Sequence, residues 1–169
     1  AKLLGLGYPG GPIVDRRARE GNDEAVAFPS ARMTHADRNA PSLRGDLDFS
    51  FSGLKTSVLR HVRQRVESGL PIADREIDDI CASFQRVVVT TLLDRLFDAA
   101  DRYAAQSVGI AGGVSANARL RTDAAARGKQ VGLRVYLPHT SLSTDNAAMI
   151  GAAGLRNFHA GKRAGLELN

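Results

Sequence analysis

The chain has no tryptophan, one cysteine, three tyrosines and six phenylalanines in 169 residues. Each scarcity excludes something. So few aromatic rings argue against a base-stacking platform for single-stranded nucleic acid. A lone cysteine, Cys81, rules out an internal disulfide and fits a reducing compartment. Cys81 falls on an apolar helical stripe, so it reads as a buried structural thiol rather than a nucleophile. No run is long and apolar enough to span a membrane and none reads as a signal peptide, so the expected compartment is cytoplasmic, with no membrane partner. His35, His61, His139 and His159 show no metal-ligand spacing with one another or with an acid. There is no H-E-x-x-H, no P-loop and no nucleophile elbow, so nothing supports peptide hydrolysis.

The length suits one ordinary domain with a real core. The chain opens at Ala1 on residues that resemble the end of a helix, and it stops at Glu167-Leu168-Asn169, where a strand could begin. It therefore reads as a piece of a longer protein. The formal net charge is +5, with arginines spread along the expected helices. That balance permits contacts to nucleic-acid phosphates without demanding them.

The apolar spacing predicts alternating elements. Residues 1–4 read as a helix tail closed by Gly5 and Gly7, and Pro12 opens a short helix over 13–19. Residues 25–28 read as a strand, 29–46 as a long irregular loop, and 48–51 as a strand edge. A helix is predicted over 53–67 and a long one over about 73–105, despite the β-branched run Val87-Val88-Val89-Thr90-Thr91. A buried strand over 107–111, a helix over 115–127, a strand over 133–137 and a helix over 144–160 complete the pattern. Strands alternating with helices imply an α/β layered domain.

Two segments carry most of the functional signal. They are Ile110-Ala111-Gly112-Gly113-Val114-Ser115-Ala116-Asn117 and Ser143-Thr144-Asp145-Asn146-Ala147-Ala148-Met149-Ile150. Each sits where an apolar stretch gives way to a helix, whose unpaired N–H groups favour an anion or polar ligand. The paired glycines Gly112 and Gly113 let backbone and ligand approach closely. The amide of Asn117 can bond a base or ribose, or simply begin a helix. Asp145 reads either as a hard-oxygen metal ligand or as a helix cap. Gly5-Leu6-Gly7-Tyr8-Pro9-Gly10 matches the dinucleotide pattern G-x-G-x-x-G, but Pro9 interrupts it and no strand has room to precede it. The better reading is a turn, Tyr8-Pro9-Gly10-Gly11-Pro12, that aims backbone amides at a ligand. Asp15, a turn after Gly11, suits ribose hydroxyls or, equally, the start of a helix. In Asp48-Phe49-Ser50-Phe51-Ser52-Gly53-Leu54-Lys55-Thr56, Ser50 and Ser52 share one side and Ser52 can cap the next helix. Lys55 sits in a first turn against the dipole, which fits a bound phosphate or a solvated ammonium.

Taken in order, residues 8–12, 48–56, 111–117 and 143–150 resemble the tRNA threonylcarbamoyladenosine transferase family, whose older label was O-sialoglycoprotein endopeptidase. The similarity covers nearly the whole chain. It implies the α/β actin/Hsp70/sugar-kinase superfamily fold, with two ribonuclease H-like lobes around a nucleotide cleft. The chain would then be the C-terminal portion of a two-lobe enzyme, its lobe incomplete because an N-terminal part is absent. The implied activity moves a threonylcarbamoyl group from threonylcarbamoyl-AMP to the exocyclic amine of an adenosine beside the tRNA anticodon.

By the same resemblance, Gly11, Asp15 and Asn117 contact the adenylate, and Asp145 binds one divalent metal, iron or zinc. Two further histidine ligands, spaced H-x-x-x-H, would lie in the missing N-terminal part. Lys55, Ser52, Gly112 and Gly113 are candidate substrate or phosphate contacts, and no general base is proposed. Implied partners are tRNA, a paralogous TsaB-like subunit and a TsaE-like ATPase. Basic residues at 60–65, with Arg32 and Arg44, are the expected tRNA-facing surface. One metal ligand of three implies weak metal binding and no transfer by this chain alone. The competing readings are a sugar or small-molecule kinase of the same fold and a non-catalytic nucleotide- or partner-binding module.

Overall fold

A computed structural model describes residues 1–31, 47–67, 69, 71–163 and 165. Among these described residues five α-helices and two strands follow one another: α1 (Gly10–Ala18), α2 (Ser52–Glu67), α3 (Asp74–Arg102), β1 (Ser107–Gly109), α4 (Ala118–Val131), β2 (Arg134–Tyr136) and α5 (Ala147–His159). Short 3-10 turns at Gly113–Ala116 and Thr140–Leu142 precede α4 and α5. The strands pair in parallel, with Val108 opposite Val135, and α4 makes the crossover between them. This is a β-α-β unit within an α/β chain.

The 29-residue α3 is the spine. Ile80, Cys81, Ala82 and Ser83 are consecutive and all buried, so this stretch is covered on every side rather than along one stripe. Leu4, Leu6, Val14 and Ala18 pack around Cys81 and Ala82. Phe28 and Leu54 close over Ile80 and Val87. Further along, Val89, Leu93 and Phe97 meet Leu120 and Ala124 of α4, with Ile110, Leu133 and Val135 at the margin. The β-branched stretch stays helical because it is buried. Thr91 also donates its hydroxyl to the Val87 carbonyl at 2.7 Å, which satisfies a polar group that burial would leave costly.

The segment expected as a strand over 25–28 forms none, for a visible reason. Side chains of α3 take its Val26 amide and backbone groups just before it, while the Ala25 and Phe28 amides turn to the Asn22 and Val26 carbonyls. Ser83 Oγ accepts from Val26 N–H at 3.1 Å, Asp79 accepts from Asn22 N–H at 2.7 Å, and Arg86 donates to the Asp23 carbonyl at 2.7 Å. No ladder is needed to satisfy them. Residues 48–51 likewise hold a single bridge at Phe49, with Ser50 N–H donating to the Ala31 carbonyl at 2.9 Å. Residues 1–4 form turns rather than a helix tail, with Gly5 and Gly7 at positive φ. Of the loop over 29–46, residues 32–46 lie outside the described residues, Arg32 and Arg44 among them.

Other boundaries move by a few residues. α1 begins at Gly10, so Pro12 is its third residue. Ser52 is the first residue of α2 rather than its cap, and Ser50 Oγ accepts from Ser52 N–H at 3.3 Å. The strand expected over 107–111 is shorter, and only its Val108 is buried. The helix expected from Ser115 starts at Ala118 and runs on to Val131, where Gly132 at φ 71° closes it. The last helix starts at Ala147 because Asn146, not Thr144 or Asp145, caps it: Asn146 Oδ1 accepts from Met149 N–H at 3.0 Å. Among the described residues, no helix is long and apolar enough to cross a membrane.

Two outcomes follow from this packing. A Cβ added at Gly21 would sit 2.1 Å from the Asp78 carbonyl oxygen on the α3 backbone. Gly21→Ala should therefore cost about 2 kcal/mol through forced separation of the segment from α3, read by thermal melting. The second concerns the link between α2 and α3. Arg65 grips both oxygens of Glu76, with Nη2 to Oε2 at 2.8 Å. Hydrogen bonding to Arg65 holds the Glu76 carboxyl below its ordinary 4.5, against the opposing effect of burial. Its stabilising contribution is full above that ordinary value and is lost as pH falls through the lowered one. Glu76→Gln should flatten acid destabilisation in that window by under about 1 kcal/mol, since the pair is partly solvated.

Candidate nucleotide-binding site

A hollow with polar groups at its edge lies where α1 and α4 begin. Pro9 is extended ahead of α1 and caps nothing with its side chain, so the leading amides of Gly10 and Gly11 have no intrahelical partner. A Cβ built on Gly11 meets nothing within 4 Å, so this turn borders open space. Opposite it, Asn117 caps α4, its Oδ1 accepting from Leu120 N–H at 2.9 Å. Gly10, Gly11, Val14, Phe84, Gln85, Val114 and Asn117 are among the residues around a hollow of about 300 Å³.

Asp15 binds the two helices together. Its Oδ1 accepts from Asn117 Nδ2 at 3.0 Å and from Gln85 Nε2 at 2.7 Å, and its Oδ2 accepts from Arg19 at 2.9 Å. Asp15 is the sixth residue of α1, not a first-turn acid, and its side chain is 13 % exposed. The structure thus brings Gly11, Asp15 and Asn117 to one place. Sequence reasoning missed Gln85. The readable signal was an amide whose neighbours three and four positions away on the helix, Cys81, Ala82, Val88 and Val89, are apolar.

The Gly112–Gly113 bend lies next to this hollow. Gly112 sits at φ 80°, a left-handed conformation that favours glycine, and its carbonyl accepts from Ser115 N–H at 2.9 Å. The buried Ser115 donates Oγ to Ser143 Oγ at 2.9 Å, which ties the bend to the segment before α5. Ile110 and Ala111 face an apolar hollow of about 250 Å³ against Leu92, Leu93 and Leu96, and Val114 borders both hollows.

The remaining candidates are placed apart. Lys55 borders a third hollow, about 190 Å³ and apolar, which shares Ala1, Val14 and Phe84 with the Asn117 hollow but not its polar groups. Ser52 is exposed at the start of α2 and lines none of these hollows. Asp145 is exposed beside Asn146 and also lines none of them. Its oxygens suit a divalent cation, yet among the described residues no group of three or more His, Cys, Asp or Glu could hold a metal. On the expected basic face, Arg60 and Arg63 are exposed, whereas Arg65 is held by Glu76. Cys81 is buried, and burial pushes its thiol up, away from the reactive thiolate.

The sequence model of the tRNA N6-adenosine threonylcarbamoyltransferase family (TsaD) matches residues 1–152. A relative of that name from Anaeromyxobacter sp. is 46% identical over 170 residues, covering 100% of this chain and 47% of the relative. Another, from Koribacter versatilis, is 42% identical over 193 residues, covering 100% of this chain and 51% of the relative. One from Symbiobacterium thermophilum is 45% identical over 169 residues, again across 100% of this chain and 46% of the relative. The chain thus spans about half the length of these curated relatives.

Removing the Asn117 side chain withdraws both the α4 cap and one partner of Asp15. Asn117→Ala should lower stability by about 1–2 kcal/mol in denaturant unfolding.

Proposed function

The chain belongs to the tRNA N6-adenosine threonylcarbamoyltransferase family, and from that premise we propose that it forms the C-terminal portion of such an enzyme. The reaction moves a threonylcarbamoyl group from threonylcarbamoyl-AMP to the exocyclic amine of the adenosine beside the anticodon, in tRNAs that read codons beginning with A. The observation that carries this reading is that Gly11 and Asn117 line one hollow, with Asp15 hydrogen-bonded to Asn117 and Gln85 at its edge. The fold reading goes with it. A β-α-β unit with two parallel strands suits part of an actin/Hsp70/sugar-kinase lobe whose other strands lie outside this chain.

The residues divide the work by chemistry. The uncapped amides of Gly10 and Gly11, with the positive end of the α1 dipole, attract the adenylate phosphate. Apolar walls at Val14, Phe84 and Val114 shed water and take the base. Asp15 holds the Asn117 amide in a fixed orientation, so the nucleotide binds a preformed edge and the carbamoyl carbon is presented to the incoming amine. The family reading assigns Asp145 as one ligand of a divalent iron or zinc, with two histidines from outside the chain. Among the described residues no group of three or more His, Cys, Asp or Glu could hold the ion, so Asp145 would act there only with ligands from outside these residues. Arg60 and Arg63 on α2 belong to the proposed tRNA-facing surface. A TsaB-like paralogue and a TsaE-like ATPase complete the proposed assembly.

The test is transfer by the natural-length protein from threonylcarbamoyl-AMP to tRNA. Asn117→Ala should reduce transfer at least about tenfold, equivalent to about 1.4 kcal/mol of lost binding. Undiminished transfer by that variant would overturn the site. Adenylate binding without any transfer would favour the non-catalytic module instead.

A further inference from the structure

Gln85 stands at the polar corner of this hollow with no role in the reading above. It projects from the buried spine α3, and only 7 % of its surface is exposed. Its Nε2 donates to Asp15 Oδ1 at 2.7 Å. A carboxylate oxygen only accepts, so the nitrogen must face Asp15 and the carbonyl Oε1 must face away. Among the described residues Oε1 has no hydrogen-bond partner, and it is not sealed from solvent.

The neighbouring acceptors are already engaged. Asp15 receives Gln85, Asn117 and Arg19 together, leaving little of the roughly four lone-pair sites of a carboxylate. Asn117 has committed Oδ1 to the α4 cap. An open acceptor on a nearly buried side chain gains most from a ligand that brings a donor. The other walls, Phe84, Val88, Val89 and Val114, are apolar and suit the base. The sugar therefore belongs at the Gln85 corner.

We propose that Gln85 is a ligand-contacting specificity residue. Its Oε1 accepts a ribose hydroxyl of the bound nucleotide, while its Nε2 fixes Asp15. The inference rests on the nucleotide reading above and assigns the sugar contact within it.

Calorimetric titration of the natural-length protein with AMP, 2′-deoxy-AMP, 3′-deoxy-AMP and IMP decides it. The wild type should bind AMP about tenfold more tightly than at least one of the deoxy forms, as expected for one hydrogen bond to a poorly solvated acceptor. Gln85→Met, close in volume and lacking the carbonyl, should bind AMP and that deoxy form equally. Gln85→Asn, which withdraws the acceptor by one methylene, should do the same if the Met variant does not fold. A variant that folds and keeps the full preference overturns the role of Gln85 and leaves the nucleotide site standing. Equal wild-type affinity for AMP and both deoxy forms overturns the ribose contact. A wild type that discriminates only against IMP moves the contact to the base and overturns it as well. No AMP binding by the wild type overturns the nucleotide reading and this inference together.

Discussion

Burial of the Ile80–Ser83 stretch of α3 on every side is the constraint from which the rest of the arrangement follows. A helix with four consecutive buried residues cannot rest one stripe on a neighbour; other segments must wrap it. Here α1 and the residues after it take one side, α2 and Phe28 another, and the β-α-β unit covers the C-terminal half. Gly21 shows how tight the wrapping is, because its backbone lies directly against Asp78 and Asp79. Arg17, Arg75 and Arg86 of the paired segments then reach across to carboxylates and carbonyls, so the wrap is fastened at its edges by charge and hydrogen bonds.

The candidate site is a consequence of that wrapping. α1 and α4 are distant in sequence, yet both abut the middle of α3, so their N-terminal ends meet there. Asp15 makes the meeting specific. A carboxylate that is 13 % exposed and shared by Gln85, Asn117 and Arg19 places three elements and one cation around a single charge. Buried charge is costly unless it is well supplied with donors. The three donors meet that cost, and the adjacent turn borders open space at Gly11.

Much of this was legible in the residues, and the misses have physical causes. The long helix could be read through its β-branched run because the apolar stripe continues across it, and burial outweighs intrinsic propensity. The parallel strands and the crossover helix were readable from apolar runs bounded by Gly112, Gly132 and Pro138. The strand expected over 25–28 failed because its Val26 amide is taken by Ser83 and the Asn22 amide just before it by Asp79, both more than fifty residues away. Local pattern carries no trace of such a partner. Asn146 beat Asp145 as cap by one residue, a difference that periodicity cannot resolve. Gly11, Asp15 and Asn117 were each weak signals alone. What the sequence could not supply was that Asp15 faces inward toward Gln85 as much as toward any ligand.

The two helix starts that frame the hollow are not equivalent, and their difference orients whatever binds. At α4 the Asn117 carbonyl occupies the Leu120 amide, so that terminus is partly neutralised from within. At α1 no side chain plays this part, and proline supplies the residue before it. An anion would therefore be drawn to α1, while α4 would contribute a fixed amide edge rather than a field. A nucleotide satisfies both conditions at once when its phosphate lies toward Gly10 and Gly11 and its nucleoside lies toward Asn117. The reverse orientation would set the phosphate near Asp15 and turn electrostatic attraction into repulsion. The polarity of the site thus comes from which of two neighbouring helices caps itself.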